Sequence, residues 1–224
     1  MELTGLNDFL LFLYGKDNKL LTDPTNGGLK GNLDKHPGVF KADLTSAYGA
    51  VQANITGLAA TAQKVYGSNA TAEQNVGALS PQAALTANDI PHDVYDTLIG
   101  LRKDTKLGGY AHDSNTMSRG GVIIHSHNDN RNIDLYFAFP LGIFTAGELN
   151  LQTNNQNPNV VHDALTLAAQ ERGTDNLLYE KFYSTDDGFD YDQMIDFITG
   201  VSTTDPTSKG STTTTPASGS QTQS

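Results

Sequence analysis

The sequence contains no cysteine and no tryptophan among its 224 residues. Without cysteine, the chain as written can form no disulfide, no zinc–thiolate site, no cysteine nucleophile and no thiolate ligand to heme. Without tryptophan, the large aromatic core side chains must come from nine Phe and nine Tyr residues. Long apolar runs are also missing, since none approaches the roughly 20 residues of a membrane span. The apolar cluster at 9–14 lacks the flanks of a signal peptide. We therefore expect no membrane partner.

Positive charge is scarce. The chain has 14 Lys and Arg residues against 25 Asp and Glu residues, which gives a formal net charge of −11 at pH 7. Binding to a phosphate backbone depends on clustered Lys and Arg side chains. The composition therefore predicts no nucleic-acid partner.

The length and the composition of the C-terminus predict the domain organisation. A chain of 224 residues suits one domain of ordinary size. From Ser202 onward the sequence is rich in Ser, Thr, Gly and Gln and has no aromatic residue, so it cannot bury enough apolar surface to become ordered. We expect a single globular domain at 1–200 and a disordered tail at 201–224.

Apolar residues at spacings of three and four predict helices. The longest such pattern predicts a helix over 44–65 that ends at Gly67, and its apolar positions are Leu44, Tyr48, Val51, Ile55, Leu58, Ala62 and Val65. The same spacing predicts a helix at 6–13, and the pair Asp190 and Gln193 resembles the capping box of a helix that ends at Gly200. Two short apolar runs, at 122–124 and 135–139, are predicted strands, the second ended by Pro140. The expected fold class is mainly α: a single α-helical domain with short irregular or β segments.

Four motifs occur in an order that suggests a family. They are Ser80-Pro81 leading to Ile90-Pro91-His92-Asp93, the run from Tyr110 through His112-Asp113 to Ser118-Arg119, Thr145-Ala-Gly-Glu148 followed by Asn157-Pro158-Asn159, and the segment 165–178 that contains Glu171. Across residues 79–199 the sequence resembles the fungal heme-thiolate peroxidases, the family of chloroperoxidase and the unspecific peroxygenases. In that family a cysteine stands where this chain has Ser80.

The resemblance implies a cofactor, a reaction and roles for four residues. Heme would bind at Ser80 and Pro81, Glu171 would act as the distal acid–base group, and His112 would orient it. The substrate would be a small organic molecule or a halide oxidised with hydrogen peroxide, and the protein would be secreted. The sequence leaves the oligomeric state open.

Two other interpretations stay open. A serine hydroxyl donates less electron density to iron than a thiolate does, so the fold could persist in a catalytically silent binding or structural protein. Alternatively, His125, His127 and Asp129 could form the centre of a metal-dependent hydrolase, because residues at alternate positions of a strand point to one face.

Overall fold

The computed structural model describes residues 3–60, 77–104, 106–112, 117–149 and 162–201, and the backbone of 62–67 and 70–76. The predicted disordered tail, apart from Val201, lies outside the described residues. The same holds for two parts of the motifs, 113–116 and 157–159.

Strands dominate the described part of the chain, which also contains two short helices. The strands are β1 (Gly5–Leu13), β2 (Val39–Ala42), β3 (Ala50–Thr56), β4 (Ala62–Gly67), β5 (Ala70–Val76), β6 (Gln82–Ala87), β7 (Leu101–Lys103), β8 (Tyr110–His112), β9 (Arg119–Asn128), β10 (Ile133–Ala146), β11 (Asp163–Ala169) and β12 (Glu180–Tyr183). The helices are α1 (His92–Leu98) and α2 (Tyr191–Ile198), and a 3-10 turn covers Pro24–Asn26. The prediction of a mainly α fold is therefore wrong.

Eight strands form one antiparallel sheet. Their order is β2-β1-β9-β10-β11-β6-β3, and β12 pairs with the first part of β10. The remaining strands form two separate hairpins, β4–β5 and β7–β8. The last strand of the order, β3, lies close to β1. The sheet is therefore strongly curved and has a concave and a convex face.

β10 is the longest strand and changes partner along its length. Its first part, from Leu135 to Ala138, pairs with β12, and its last part, from Gly142 to Ala146, pairs with β11. The pairing with β9 shifts register between Phe139 and Gly142. Pro140 lies at this irregularity, where a residue that cannot donate a ladder hydrogen bond is tolerated. The predicted strands are thus confirmed within β9 and β10, but Pro140 does not end the second.

The sheet is buried on both faces at its centre. On the concave face, alternate side chains of six strands and two residues of α1, Val94 and Leu98, form one core. On the convex face, the other set of side chains packs against α2 through Met194, Ile195 and Ile198. Every residue of β1 from Phe9 to Leu13 is therefore buried. An apolar run buried on both faces has no period of two, which is why its spacing resembles a helix.

The predicted helix over 44–65 is replaced by a turn and β3. Gly49 and Gly57 adopt φ angles of 104° and 72°, a left-handed region that a helix cannot contain. Between them, β3 places Ile55 against the concave core and leaves Val51 exposed. By contrast, the predicted helix after Asp190 is confirmed, because the Asp190 side chain accepts a hydrogen bond from the Gln193 N–H at the start of α2.

Gly121 provides a test of the packing on the convex face. A Cβ at this position would lie 2.5 Å from Phe12 Cζ and closer still to the Phe139 carbonyl oxygen. Because backbone cannot move aside as a flexible side chain can, Gly121→Ala should lower the free energy of unfolding by about 1–3 kcal/mol in denaturant titration. Gly173→Ala is the matched control, since no atom lies within 4 Å of its added Cβ. Equal stability of the two variants would show that β1, β9 and β10 are not packed as described.

Candidate functional site

The predicted heme-binding pair lies at the start of a strand. Ser80 is exposed and Pro81 is buried, and they lead into β6. The Ser80 backbone lies against Gly57. A Cβ added to Gly57 would overlap the Ser80 carbonyl oxygen. The Pro81 carbonyl accepts a hydrogen bond from the Ala169 N–H. These contacts hold β3, β6 and β11 together.

The predicted acid–base pair lies on two separate segments. His112 is the last residue of β8 and is exposed. Glu171 is exposed after β11 and lines a cleft of about 620 Å³. His112 is not among the residues that line this cleft.

The neighbour of Glu171 has a clear structural role in that cleft. Arg172 donates hydrogen bonds from Nη1 to the carbonyl oxygens of Phe197 and Ile198, at 2.8 and 3.0 Å. It also pairs with Asp175. The cation therefore satisfies the C-terminal carbonyls of α2, where positive charge is favoured.

A cluster of two histidines and two aspartates lies across β1, β9 and β10. His125 Nδ1 is 3.1 Å from Asp8 Oδ2, and its Nε2 is 3.1 Å from Asp134 Oδ1. His127 Nδ1 lies 2.7 Å from the same Asp134 oxygen. The His125 ring stacks on Tyr136 with centroids 4.6 Å apart. The two histidines thus share one face of β9, as their spacing predicted.

Asp8 is the most buried carboxylate of this cluster. Its Oδ2 also lies 3.2 Å from Lys41 Nζ, while its Oδ1 is buried without a hydrogen-bond partner among the described residues. Burial alone would lower the pKa of His125, but its hydrogen bonds to Asp8 and Asp134 outweigh burial and raise that pKa above its usual value. Burial raises the pKa of Asp134, but hydrogen bonds from His125 and His127 lower it overall. The cluster is therefore a set of ion pairs at one end of the sheet.

The metal-centre alternative does not match this geometry. The histidine nitrogens face Asp8 and Asp134 at hydrogen-bond distance, and Asp129 is 3.8 Å from His127 Nε2 and largely exposed. Among the residues that the structure describes, no group of three or more His, Cys, Asp or Glu side chains is arranged to hold a metal ion.

The two strands at the ends of the sheet order, β2 and β3, differ at their outer edges. Along β2, Asn32 donates to the Lys41 carbonyl and accepts from the Lys41 N–H, so a loop covers this edge. Along β3, the only strand that pairs with it in the described part of the chain is β6. Three large apolar side chains are exposed on β3 and the turn before it: Leu44 (79%), Tyr48 (69%) and Val51 (48%). A strand with one unpaired edge and exposed apolar side chains is a template for another chain.

The comparison with known families identifies the chain. Residues 1–214 match the phage tail tube protein family. The chain belongs to this family. The identification with the heme-thiolate peroxidases is therefore wrong, and with it the predicted oxidation of a small substrate by peroxide. No curated protein matched the sequence.

The roles of the four predicted residues came only from the peroxidase resemblance. The catalytic roles of His112 and Glu171, and heme binding by Ser80 and Pro81, stay predictions, and the resemblance that suggested them no longer supports them.

Within the described residues, no helix is long and apolar enough to cross a membrane. The strand β3 and its edge were not predicted from the sequence. The signal for this strand was the β-branched pair Val51 and Ile55 between two glycines.

The Asp8–His125–Asp134 ion pairs predict a pH dependence of stability. Because the pKa of His125 is raised, its stabilising contribution is complete below the usual histidine pKa of about 6.5 and is lost as the pH rises through the folded value. Because the pKa of Asp134 is lowered, its contribution is lost as the pH falls from about 4 through the folded value. The free energy of unfolding should therefore fall as the pH rises from about 6.5.

Denaturant titrations across pH measure this dependence. His125→Gln cannot titrate and should show a smaller fall above pH 6.5 than the wild type does. His162 is exposed, so His162→Gln should keep the wild-type pH profile. A wild-type profile in His125→Gln would show that the cluster does not couple protonation to folding.

Proposed function

We propose that the chain is a structural subunit of a phage tail and that its copies assemble into the tube. The family match over 1–214 supports this role. The observation that carries it is the second edge of β3, which pairs with no strand in the described part of the chain and lies beside exposed apolar side chains. Sheet edges that are left unpaired associate with other chains unless they are protected.

The outer edge of β2 is covered, whereas the outer edge of β3 pairs with no strand in the described part of the chain. On β2, the Asn32 side chain occupies both hydrogen-bonding groups of Lys41. On β3, the seven residues contain no charged side chain and no proline. The edge therefore has the composition of an interface.

The apolar side chains next to β3 support the same role. Leu44 and Tyr48 lie in the turn that leads into the strand, and Tyr48 adopts a φ angle of 49°. Exposed apolar side chains grouped beside an open strand mark association sites in soluble proteins. Copies that pair through β3 would bury these side chains and satisfy the free backbone groups together.

The acidic composition is compatible with a structural component that does not retain nucleic acid. With a net charge of −11, the chain repels phosphate over most of its surface. The prediction of no nucleic-acid partner therefore remains part of this proposal.

Val51→Lys tests the assembly through β3. Val51 is 48% exposed, so the substitution should change the melting temperature little, while a charge at the edge opposes strand pairing. We expect the purified wild type to form tubes or ring oligomers in sedimentation velocity and negative-stain electron microscopy. Val51→Lys should reduce the assembled fraction by about tenfold or more.

Leu107→Lys is the control for an exposed apolar side chain. Leu107 is 88% exposed in the β7–β8 hairpin, and its substitution should leave assembly intact. Normal assembly of Val51→Lys would exclude the β3 edge as the interface. A wild type that stays monomeric at all concentrations would contradict the structural role itself.

A further inference from the structure

Five cationic side chains of this acidic chain lie in one groove. It has a volume of about 840 Å³ and lies where the end of β1, the 3-10 turn, the end of α1 and the base of the β7–β8 hairpin meet. Among the described residues that line it, the cations are Lys16, Lys30, Arg102, Lys103 and Arg119, and the only acidic residue is Asp93. We call it the basic groove.

Four of the five cations of the basic groove, all except Arg102, form no ion pair with another described residue. Lys16, Lys30 and Lys103 are exposed, and Arg119 is half-buried. Nearby carboxylates on the same loops are engaged with backbone: Asp23 accepts from the Thr25 N–H. A groove of this charge in a chain of net charge −11 fits an acidic partner.

A complementary surface occurs on the same chain. The turn between β12 and α2, residues 184–190, contains Asp186, Asp187 and Asp190 and no cation. All three aspartates are exposed. Asp190 accepts the capping hydrogen bond of α2, while the side chains of Asp186 and Asp187 form no ion pair within the described part of the chain. We call this segment the acidic turn.

The basic groove and the acidic turn lie at opposite ends of the sheet. Arg119, at the start of β9, lines the groove. The acidic turn begins at Ser184, whose N–H donates to the Asp134 carbonyl, and Asp134 is paired with His127 near the end of β9. Eight residues of strand separate Arg119 from His127, which corresponds to roughly 26 Å. One molecule therefore cannot place its own turn in its own groove.

We propose that the acidic turn of one copy docks into the basic groove of the next copy. This inference rests on the proposed tube function and specifies a contact for it, separate from the β3 edge. Because the two surfaces differ and lie at opposite ends, the contact is head to tail. Such a heterologous contact repeats without closing on a pair and stacks copies along an axis.

Charge reversal with rescue tests the contact in the full-length protein. Asp186→Lys with Asp187→Lys places like charges together across the interface, which should weaken association by at least about tenfold in sedimentation equilibrium. Lys30→Glu with Lys103→Glu should do the same. An equimolar mixture of these two double variants should associate more strongly than either variant does alone. In the mixture, the reversed turn of one variant meets the reversed groove of the other, and the two charges are again opposite.

The matched control is Asp89→Lys with Glu148→Lys. It reverses two exposed carboxylates outside the acidic turn and changes the net charge by the same amount. It should keep wild-type association. If it weakens association as strongly as the acidic-turn variant, net charge and not a specific contact is responsible, and the inference is overturned.

Zero-length cross-linking separates this inference from the tube proposal. A carbodiimide links a carboxylate to a lysine amine in direct contact, and mixing unlabelled with ¹⁵N-labelled protein marks links between copies. We expect mixed-isotope links that join Asp186 or Asp187 to Lys30 or Lys103. If the wild type forms tubes but these links are absent, the inference fails and the tube proposal stands. If the links form but no tube or ring does, the tube proposal fails and the contact stands; if both are absent, both fail.

A nucleic acid is the competing occupant of the groove. A fluorescent DNA oligonucleotide reports this in an anisotropy titration at low salt, where phosphate contacts are strongest. We expect the same weak binding by the wild type and by Lys30→Glu with Lys103→Glu. DNA binding that disappears in this variant, together with the absence of the cross-links, would assign the groove to nucleic acid instead.

Discussion

The structure depends on the burial of three central strands on both faces. β1, β9 and β10 carry apolar side chains toward the concave core and toward α2 at the same time. Burial of both faces removes about twice the apolar area from water that a one-sided strand removes. It also restricts the space between strands, and Gly121 is the point where a strand passes the Phe12 ring and the Phe139 carbonyl. The rest of the sheet extends outward from this centre.

Polar groups at the end of these strands complete the same unit. The ion pairs of Asp8, His125 and Asp134 connect β1, β9 and β10 in the order in which they pair. Because Asp8 is buried, its carboxylate needs cationic neighbours, and His125 and Lys41 supply them. The stacking of His125 on Tyr136 and of Tyr136 on Phe189 extends the contact to the segment before α2. One layer of side chains thus links the central strands to the helix that covers them.

The sequence allowed some elements to be predicted and concealed others for a physical reason. The cap at Asp190 and the apolar runs within β9 and β10 depend on neighbouring residues, so they were visible. β1 was not, because a strand buried on both faces has the same continuous apolar pattern as a buried helix. The segment from Leu44 onward combined a helical spacing with Gly49 and Gly57. The two glycines form turns with positive φ angles, and the segment between them is the strand β3 instead of a helix.

The polar cluster was predictable only in part. The alternation of His125 and His127 correctly placed both on one face of a strand. Their partners Asp8 and Asp134 follow from the pairing of β9 with β1 and β10, and Asp8 lies 117 residues away from His125 in sequence. No local pattern contains that register.

The unequal edges of the sheet limit how copies can assemble. If β3 paired with the β3 edge of another copy, the contact would be the same on both partners and would close as a two-fold dimer. A tube needs contacts that repeat in one direction, so β3 has to meet a different surface of its neighbour. The covered edge at β2 excludes simple continuation of one sheet into the next unless the Asn32 loop moves. Growth around a ring and growth along the axis therefore call for two separate heterologous contacts. In the proposed assembly, the β3 edge supplies one of them, and the pair formed by the basic groove and the acidic turn supplies the other.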